Sequence, residues 1–338
     1  MASRKWLISS ISALFFTTLL VPVTHADAPV KVAIAYEVGG RGDHAGNDAV
    51  AMGVDLVKLN LKLTSLVVRE MVTDGSEKDR SRRLRFLATA GYSTIIAVGA
   101  GYEQSVRTVS QEFPETTFAI IDDANIPNLN VQSLIFDTQQ GAYLAGVLAA
   151  SASKSNKVGF IGDVTFTSSP AQGAAFIQGA KSVKPKIIAT ITIPLEKTPA
   201  AALAIMHFSG VDVVYSNWSQ NSSLLDSVLA LNTKKSPLKL IGTLPDQYWL
   251  QSSRSLSVLI GAFTKHFESA AYDAIAYAIR GQILGDVLQE NPNVFGKRYT
   301  VKDGGIGIAL VGTGQLYSAA INSVSSALRA GKIKIASF

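Results

Sequence analysis

Two α/β lobes, each a parallel sheet flanked by helices in the doubly wound, Rossmann-like manner, are predicted for this chain from three observations. Short apolar runs alternate with amphipathic stretches, the signature of strands and helices taken in turn. The alternation restarts near residue 139, so one grammar is used twice with little residue identity between the halves. And 338 residues are too many for one ordinary core, but they suit two domains of about 150 residues each. Hydrophobic residues make up 47% and charged residues 17%, which marks a globular rather than a disordered chain.

The elements follow in order. Residues 31–36 (KVAIAY) read as a strand ending at the turn Gly39-Gly40-Arg41-Gly42. A helix starts near Asn47 and carries Ala51, Val54, Leu56 and Val57. Residues 65–71 form a strand, and the Arg-rich stretch leading to Leu84, Leu87 and Ala88 a helix. Then come strand 94–98 (TIIAV), stopped by Gly99 and Gly101, helix 102–113, and strand 118–121 (FAII), capped by Asp122 and Asp123. In the second cycle, helix 140–152 leads to strand 157–161 (KVGFI), helix 171–183, strand 187–193 and helix 200–208. Strand 211–215, helix 222–231 and strands 239–241 and 257–262 complete it. The tail after residue 285 reads as loop, before a last helix from about 316 to 329.

Strand, helix, strand in this order implies right-handed crossovers and parallel sheets covered on both faces. The first lobe is expected to take residues 29–138 plus about 264–303, and the second 139–263 plus about 304–338. Strand-like crossings near 136–140, 260–266 and 302–308 join them. In such sheets ligands sit beyond the carboxyl ends of the strands. The segments to watch are therefore Glu37 to Gly42, Gly99 to Tyr102, and Asp122-Asp123.

Residues 1–28 read as a signal peptide: Arg4 and Lys5, an apolar stretch over 6–23, then small residues suited to cleavage after Ala26 or Ala28. An uncleaved anchor is the alternative, since the stretch approaches the roughly 20 residues that span a bilayer; Ser9, Ser10, Ser12, Thr17, Thr18 and Pro22 dilute it. Export to the periplasm or the outer face of the cytoplasmic membrane is expected. The chain has no cysteine, which excludes disulfides, thiolate metal sites, cysteine nucleophiles and a lipid-modified cysteine. Net charge is +6, and the one dense basic run, Arg80, Arg82, Arg83 and Arg85, lies beside Glu77 and Asp79 with no aromatic interleaved. It reads as a solvated helix face, so no nucleic-acid partner is expected.

Enzymatic readings fare poorly, and no catalytic residue, metal or cofactor is expected. Of the four histidines His25 belongs to the leader, while His44, His207 and His266 lie far apart without metal-ligand spacing. There is no G-x-S-x-G elbow and no phosphate loop, and Gly39-Gly40-Arg41-Gly42 does not fit G-x-G-x-x-G. Asp122 and Asp123 leave a strand in opposite directions, so one ligand-facing aspartate is expected rather than an acid pair. Non-covalent capture is better served. Strand ends offer the carboxylates Glu37, Asp122 and Asp246, the amides Asn47, Gln140 and Asn217, and the aromatics Tyr102, Tyr215 and Trp218. A hydroxyl bonded to a buried carboxylate is worth roughly 1.5–3 kcal/mol, and a stacked ring about 1–3 kcal/mol per face.

The turn running from Glu37 through Asp43 and Asn47 to Asp48 resembles the opening signature of the basic membrane protein family of nucleoside-binding lipoproteins, usually D-x-G-G-x-x-D-x-S-F-N. Further matches follow in order: Ala90-Gly91-Tyr92 before TIIAVG, Phe113-Pro114-Glu115 before FAIID, and Gln140-Gly141-Ala142-Tyr143 before KVGFIG. Later come Gly210-Val211-Asp212, Asp246-Gln247, Lys265 with Tyr272-Asp273, and Gly304-Gly305-Ile306-Gly307. The resemblance implies a type I periplasmic-binding-protein fold, a Venus flytrap with three hinge crossings. It implies a purine nucleoside clamped between the lobes and stacked between two aromatic rings. A monomer serving an ABC permease and ATPase is then expected, touching the membrane only through the permease or an uncleaved leader. A ligand-sensing or degenerate module signalling to a membrane partner is the alternative. Candidate ligand contacts are Glu37, Asp43, Asn47, Tyr102, Asp122, Tyr215, Trp218, Asp246 and Lys265. Among these Asn47, Asp122 and Lys265 match family pocket positions, and Asp246 the second aspartate of V-D-x-D-Q.

The departures bear on the ligand. Glu37 stands for aspartate, Gly46 for the phenylalanine of S-F-N, and Leu244 for the first aspartate of D-x-D-Q, which usually binds ribose. Ser216-Asn217-Trp218-Ser219-Gln220 replaces A-G-G-x-G. Loss of a stacking ring and a ribose carboxylate implies an affinity about 10²–10⁴ lower for an ordinary purine nucleoside, unless Trp218 and Tyr102 rebuild the stack.

Overall fold

The computed structural model describes residues 29–61, 66–195, 198–218, 222–288 and 293–336. The expected leader lies outside them, as do Ser65 of the second expected strand, Ser219 and Gln220, and Asn291 and Pro292 of the expected tail loop.

The chain opens with β1 (Val30–Tyr36), α1 (Gly46–Leu61), β2 (Leu66–Val72), α2 (Glu77–Thr89), β3 (Thr94–Val98), α3 (Glu103–Glu112), β4 (Thr117–Ile121) and β5 (Val131–Phe136). It continues with α4 (Thr138–Ala152), β6 (Lys157–Ile161), α5 (Ser169–Val183), β7 (Ile188–Thr192), α6 (Ala200–Phe208), β8 (Val213–Ser216), α7 (Ser223–Leu231), β9 (Lys239–Leu244) and β10 (Leu259–Lys265). Then come α8 (Phe267–Ile279), β11 (Asp286–Val287), β12 (Phe295–Tyr299), β13 (Ile306–Leu310) and α9 (Ser318–Arg329). These strands build a seven-stranded sheet, ordered β11-β12-β5-β4-β3-β1-β2, and a six-stranded sheet, ordered β13-β10-β9-β8-β6-β7. Both are parallel except where β11 pairs with β12 and β13 with β10.

Side-chain alternation explains why each sheet carries helices on both faces. Val32, Ile34, Ile96 and Ile121 pack with α1 and α8. Their neighbours Ala33, Ala35, Ile95 and Ile120 pack the other way, against Leu84 and Leu87 of α2 and Val106 and Val109 of α3. Buried on both sides, such strands read as unbroken apolar runs. The second sheet repeats the scheme, with Phe160 and Tyr215 facing α4 and α5, and Ile161 and Val214 facing Leu203, Leu224 and Val228 of α6 and α7.

Helices α4 and α5 touch almost backbone to backbone. A Cβ added at Gly146 would lie 2.1 Å from the Phe176 carbonyl oxygen, and one at Gly179 2.1 Å from that of Tyr143. Gly179→Val is therefore expected to lower stability by about 1–3 kcal/mol or more, because the backbone must move to admit it. An unchanged urea midpoint would count against this packing.

The chain passes between the sheets three times, and the crossings lie side by side. Asp137 N donates to Tyr299 O at 2.9 Å and His266 N to Gly305 O at 3.0 Å. Phe136 stacks on Tyr299 at 5.2 Å between centroids and tilts onto Phe267 at 5.0 Å. Among the described residues no helix is long and apolar enough to cross a membrane.

Three segments depart from the sequence reading. The tail after residue 285, expected as loop, contains β11, β12 and β13. β12 (FGKRY) has little apolar pattern; parallel pairing with β5 makes it a strand, with Gly296 so close that a Cβ would meet Ser133 backbone. β5 itself is expected only as a crossing near its end, since Gln132 and Ser133 interrupt its apolar run; Gln132 is satisfied by accepting from Leu284 N at 2.7 Å. Helix α8 is absent from the sequence reading, although Phe267, Ala270, Ala271, Ala274 and Ile275 form its buried stripe.

Candidate ligand-binding site

A cavity of about 360 Å³ opens between the carboxyl ends of the two sheets, within the size range of small-molecule sites. Asp122 reaches it from the end of β4, in the left-handed region at φ 67°, which aspartate tolerates better than most residues. Its N–H stays bound to Leu134 O at 2.8 Å, so the turn aims the side chain without breaking the sheet edge. From the second sheet β9 delivers Thr243 and Asp246. Gln247, fully buried, knits that end: its Oε1 accepts from Thr243 N at 2.7 Å, and its Nε2 donates to Trp218 O at 2.7 Å and Ser216 O at 3.2 Å.

Lys265, the last residue of β10, joins the two sides. Its Nζ lies 2.5 Å from Asp122 Oδ2 and 2.5 Å from Asp246 Oδ2. Burial works against the ammonium, but the two carboxylates outweigh it and hold its pKa above the ordinary lysine value. Burial raises the Asp122 carboxyl to about 6, against the pull of Lys265 and with Asp246 adding to the rise. Such a group still ionises near neutral pH while accepting hydrogen bonds from ligand hydroxyls.

Other lining residues were less legible. Phe166, 36% exposed, sits on a loop fastened by Asp163, whose Oδ1 accepts from Thr165 N at 2.9 Å and Thr165 Oγ1 at 2.7 Å. Following the carboxyl-end rule past the end of β6 finds it. Asn217, one of the expected amides, lines the wall, its Oδ1 accepting from Asp163 N at 2.8 Å. Gln172, Asn125 and Arg298 add to the polar surface, and nothing in their local sequence marked them. Asp123, expected to point away from Asp122, lines the cavity as well, because the chain turns at Asp122 and Asp123 is then held by Asn125, accepting from its N at 2.9 Å.

Six of the expected contacts lie outside this lining. Glu37 forms a two-point pair with Arg80, at 2.9 and 2.6 Å. Asp43 accepts from the N–H groups of Ala45, Asn47 and Asp48, capping α1. Asn47 is consumed by the turn before it, accepting from Glu37 N at 3.1 Å. Tyr102 is buried, its hydroxyl donating to Tyr36 O at 3.0 Å, and burial raises its pKa. Tyr215 lies one layer behind the wall, its hydroxyl 3.4 Å from Gln172 Oε1 and Thr243 Oγ1, where burial raises it to about 12. Trp218, 1% exposed, packs into the core between the second sheet and α7, so it is a core ring rather than a stacking platform. Gln140 serves a crossing, accepting from Val301 N at 3.0 Å. Among the described residues lining the cavity there is no histidine.

What this geometry offers is two-sided grip: acceptors and a shared cation, amides and a ring, drawn from both sheets. Comparisons with known proteins bear on the family and the fold. A model of the Bmp family, described as ABC transporter substrate-binding protein PnrA-like, matches residues 30–311. Over 234 residues the chain is 28% identical to the ABC transporter nucleoside-binding protein BmpA of Lactococcus lactis, covering 67% of each chain. Over 197 residues it is 32% identical to a CD4+ T-cell-stimulating antigen of Listeria monocytogenes, covering 54% of this chain and 53% of that one. The chain thus spans about half that relative's length. An ABC transporter solute-binding protein from Conexibacter woesei superposes with TM-score 0.68 at 17% identity, over 91% of this chain and 98% of that one. Likeness at that identity speaks for the fold alone.

Proposed function

Because the chain belongs to the Bmp family of PnrA-like ABC transporter substrate-binding proteins, we propose that it is an exported capture subunit that closes on a nucleoside and hands it to a permease powered by an ATPase. Its relatives are binding proteins rather than enzymes, and capture needs no chemical step. Residues 29–138 with about 264–303 form one jaw, and 139–263 with about 304–338 the other. They hinge at the three crossings, and a ligand touching both jaws favours the closed form by its extra contacts there.

The observation that carries this reading is Lys265 held between Asp122 of one sheet and Asp246 of the other, inside the shared cavity. Ribose hydroxyls suit those carboxylates, and the Lactococcus relative carries nucleoside binding in its name. The missing ring at Gly46 has a physical counterpart. Phe267 Cε2 stands 3.2 Å from where a Gly46 Cβ would be, so a side chain there and Phe267 compete for one space. Phe166 and Phe136 supply the aromatic wall instead. Isothermal titration against a panel of purine and pyrimidine nucleosides tests the proposal. Saturable heat from at least one of them, with none from free amino acids, is the expected result; silence from every nucleoside and base removes the nucleoside clause.

A further inference from the structure

The cavity is polar in opposite senses at its two ends. Asp122 and Asp246 offer acceptors beside Lys265 at one of them. At the other, β12 brings Arg298 to the wall opposite Ile135 of β5, and α4 begins beside it at Thr138. β12, β5 and β4 are consecutive in the sheet, and Asp122 is bonded to Leu134. Asp122 and Arg298 thus stand at nearly one height, two strand spacings or about 10 Å apart. A ribose joined to a bicyclic base fills such a span.

On the premise that the cavity captures a nucleoside, without which the assignment fails, we infer that Arg298 selects a 6-oxopurine base. With the hydroxyls of ribose on the carboxylates, the base reaches the donor-rich end. A guanidinium presents a planar fork of N–H donors and no acceptor. The N–H groups of Thr138 and Gln139 open α4 ahead of those of Gln140 and Gly141, which Asp137 accepts. Hypoxanthine and guanine show two adjacent acceptors on one edge, O6 and N7. Adenine shows N7 beside an amino donor, which the fork rejects. Burial holds the Arg298 guanidinium below the usual arginine value, with Asp137 opposing, and it stays cationic. The carboxylates of Asp122, Asp123 and Asp246 outnumber the cations of Lys265 and Arg298 in the lining, so the added phosphate of a nucleotide meets net negative charge.

Competition titration of the full chain with inosine, guanosine, adenosine and inosine monophosphate decides the matter. Inosine and guanosine are expected to bind about tenfold or more tighter than adenosine, and the monophosphate more weakly than inosine. Arg298→Met should bring the three nucleosides within about threefold of one another, mainly by weakening the oxopurines, and Arg298→Lys should fall between. The wild-type ratio is itself a test should the variants not fold. Adenosine binding as tightly as inosine overturns the inference, as does an unchanged ratio in a folded Arg298→Met. If adenosine binds and the oxopurines do not, nucleoside capture stands and the role of Arg298 falls; if no nucleoside binds, both fall.

Discussion

Lys265→Met is expected to destabilise the fold by about 3–5 kcal/mol and to abolish nucleoside binding with it. Lys265 is 6% exposed, and its ammonium is the shared partner of Asp122 and Asp246. Removing one member of a buried ion cluster leaves the others desolvated and uncompensated, which costs more than the pairing was worth. Here two carboxylates, one from each sheet, would be left facing each other. The pH signature separates this cause from a simple packing defect. A carboxyl pair deprived of its cation has a native pKa above the unfolded value, so the variant gains stability as pH falls and loses it as pH rises through that pKa. In the parent the raised pKa of Lys265 has the same sign but a different window, full below the ordinary lysine value and lost only as pH rises through the higher native one. Between pH 5 and pH 8 the parent therefore loses only the smaller part that comes from Asp122, raised to about 6. Urea unfolding of both proteins at pH 5 and pH 8 reads this directly. A variant as stable as the parent at pH 8 would mean that Lys265 does not hold the cluster together.

Asp122→Asn should weaken nucleoside binding by about 10- to 100-fold, the worth of one charge-assisted hydrogen bond. Asparagine keeps the shape, and it tolerates the left-handed backbone at φ 67° as aspartate does. What it loses is the charge. In the parent, burial raises the Asp122 carboxyl to about 6 despite Lys265. The ionised form is the better acceptor, so affinity should fall as pH drops from 8 to 5 and the carboxyl takes up its proton. In the variant that part of the pH dependence should be absent. Titration calorimetry at both pH values with each protein is the check, and an equal pH slope in the two would take Asp122 out of the ligand's contact set.

How far the strands were legible depends on what covers them. KVAIAY, TIIAV, FAII and KVGFI are buried on both faces, and burial of that kind writes itself as an unbroken apolar run. β5 breaks its run with Gln132 and Ser133, because Gln132 accepts a hydrogen bond from Leu284, on a distant segment that no local pattern announces. β12 is a strand because β5 offers it a partner, and a pairing partner is not a property of five residues read alone. The site divides along the same line. Asp122, Asp246 and Lys265 stand at strand ends, where the carboxyl-end rule looks, and all three line one cavity. Trp218 and Tyr102 also follow strand ends, yet both rings are buried, Trp218 among residues of α6 and α7 and Tyr102 among residues of α2 and α3.

By itself the sequence determined the repeated α/β grammar, the absence of cysteine chemistry, and which charged residues leave the strands where a ligand could meet them, because burial and strand termination are local and periodic. Only the tertiary structure decided which of those residues share a cavity. Glu37 went to Arg80 and Asp43 to a helix start, while Phe166 and Arg298 arrived at the wall from segments far apart in the chain. Partnership among polar side chains is settled by distance in the folded chain, and two sheets that meet across three crossings bring together residues whose order in the sequence says nothing about who will face whom.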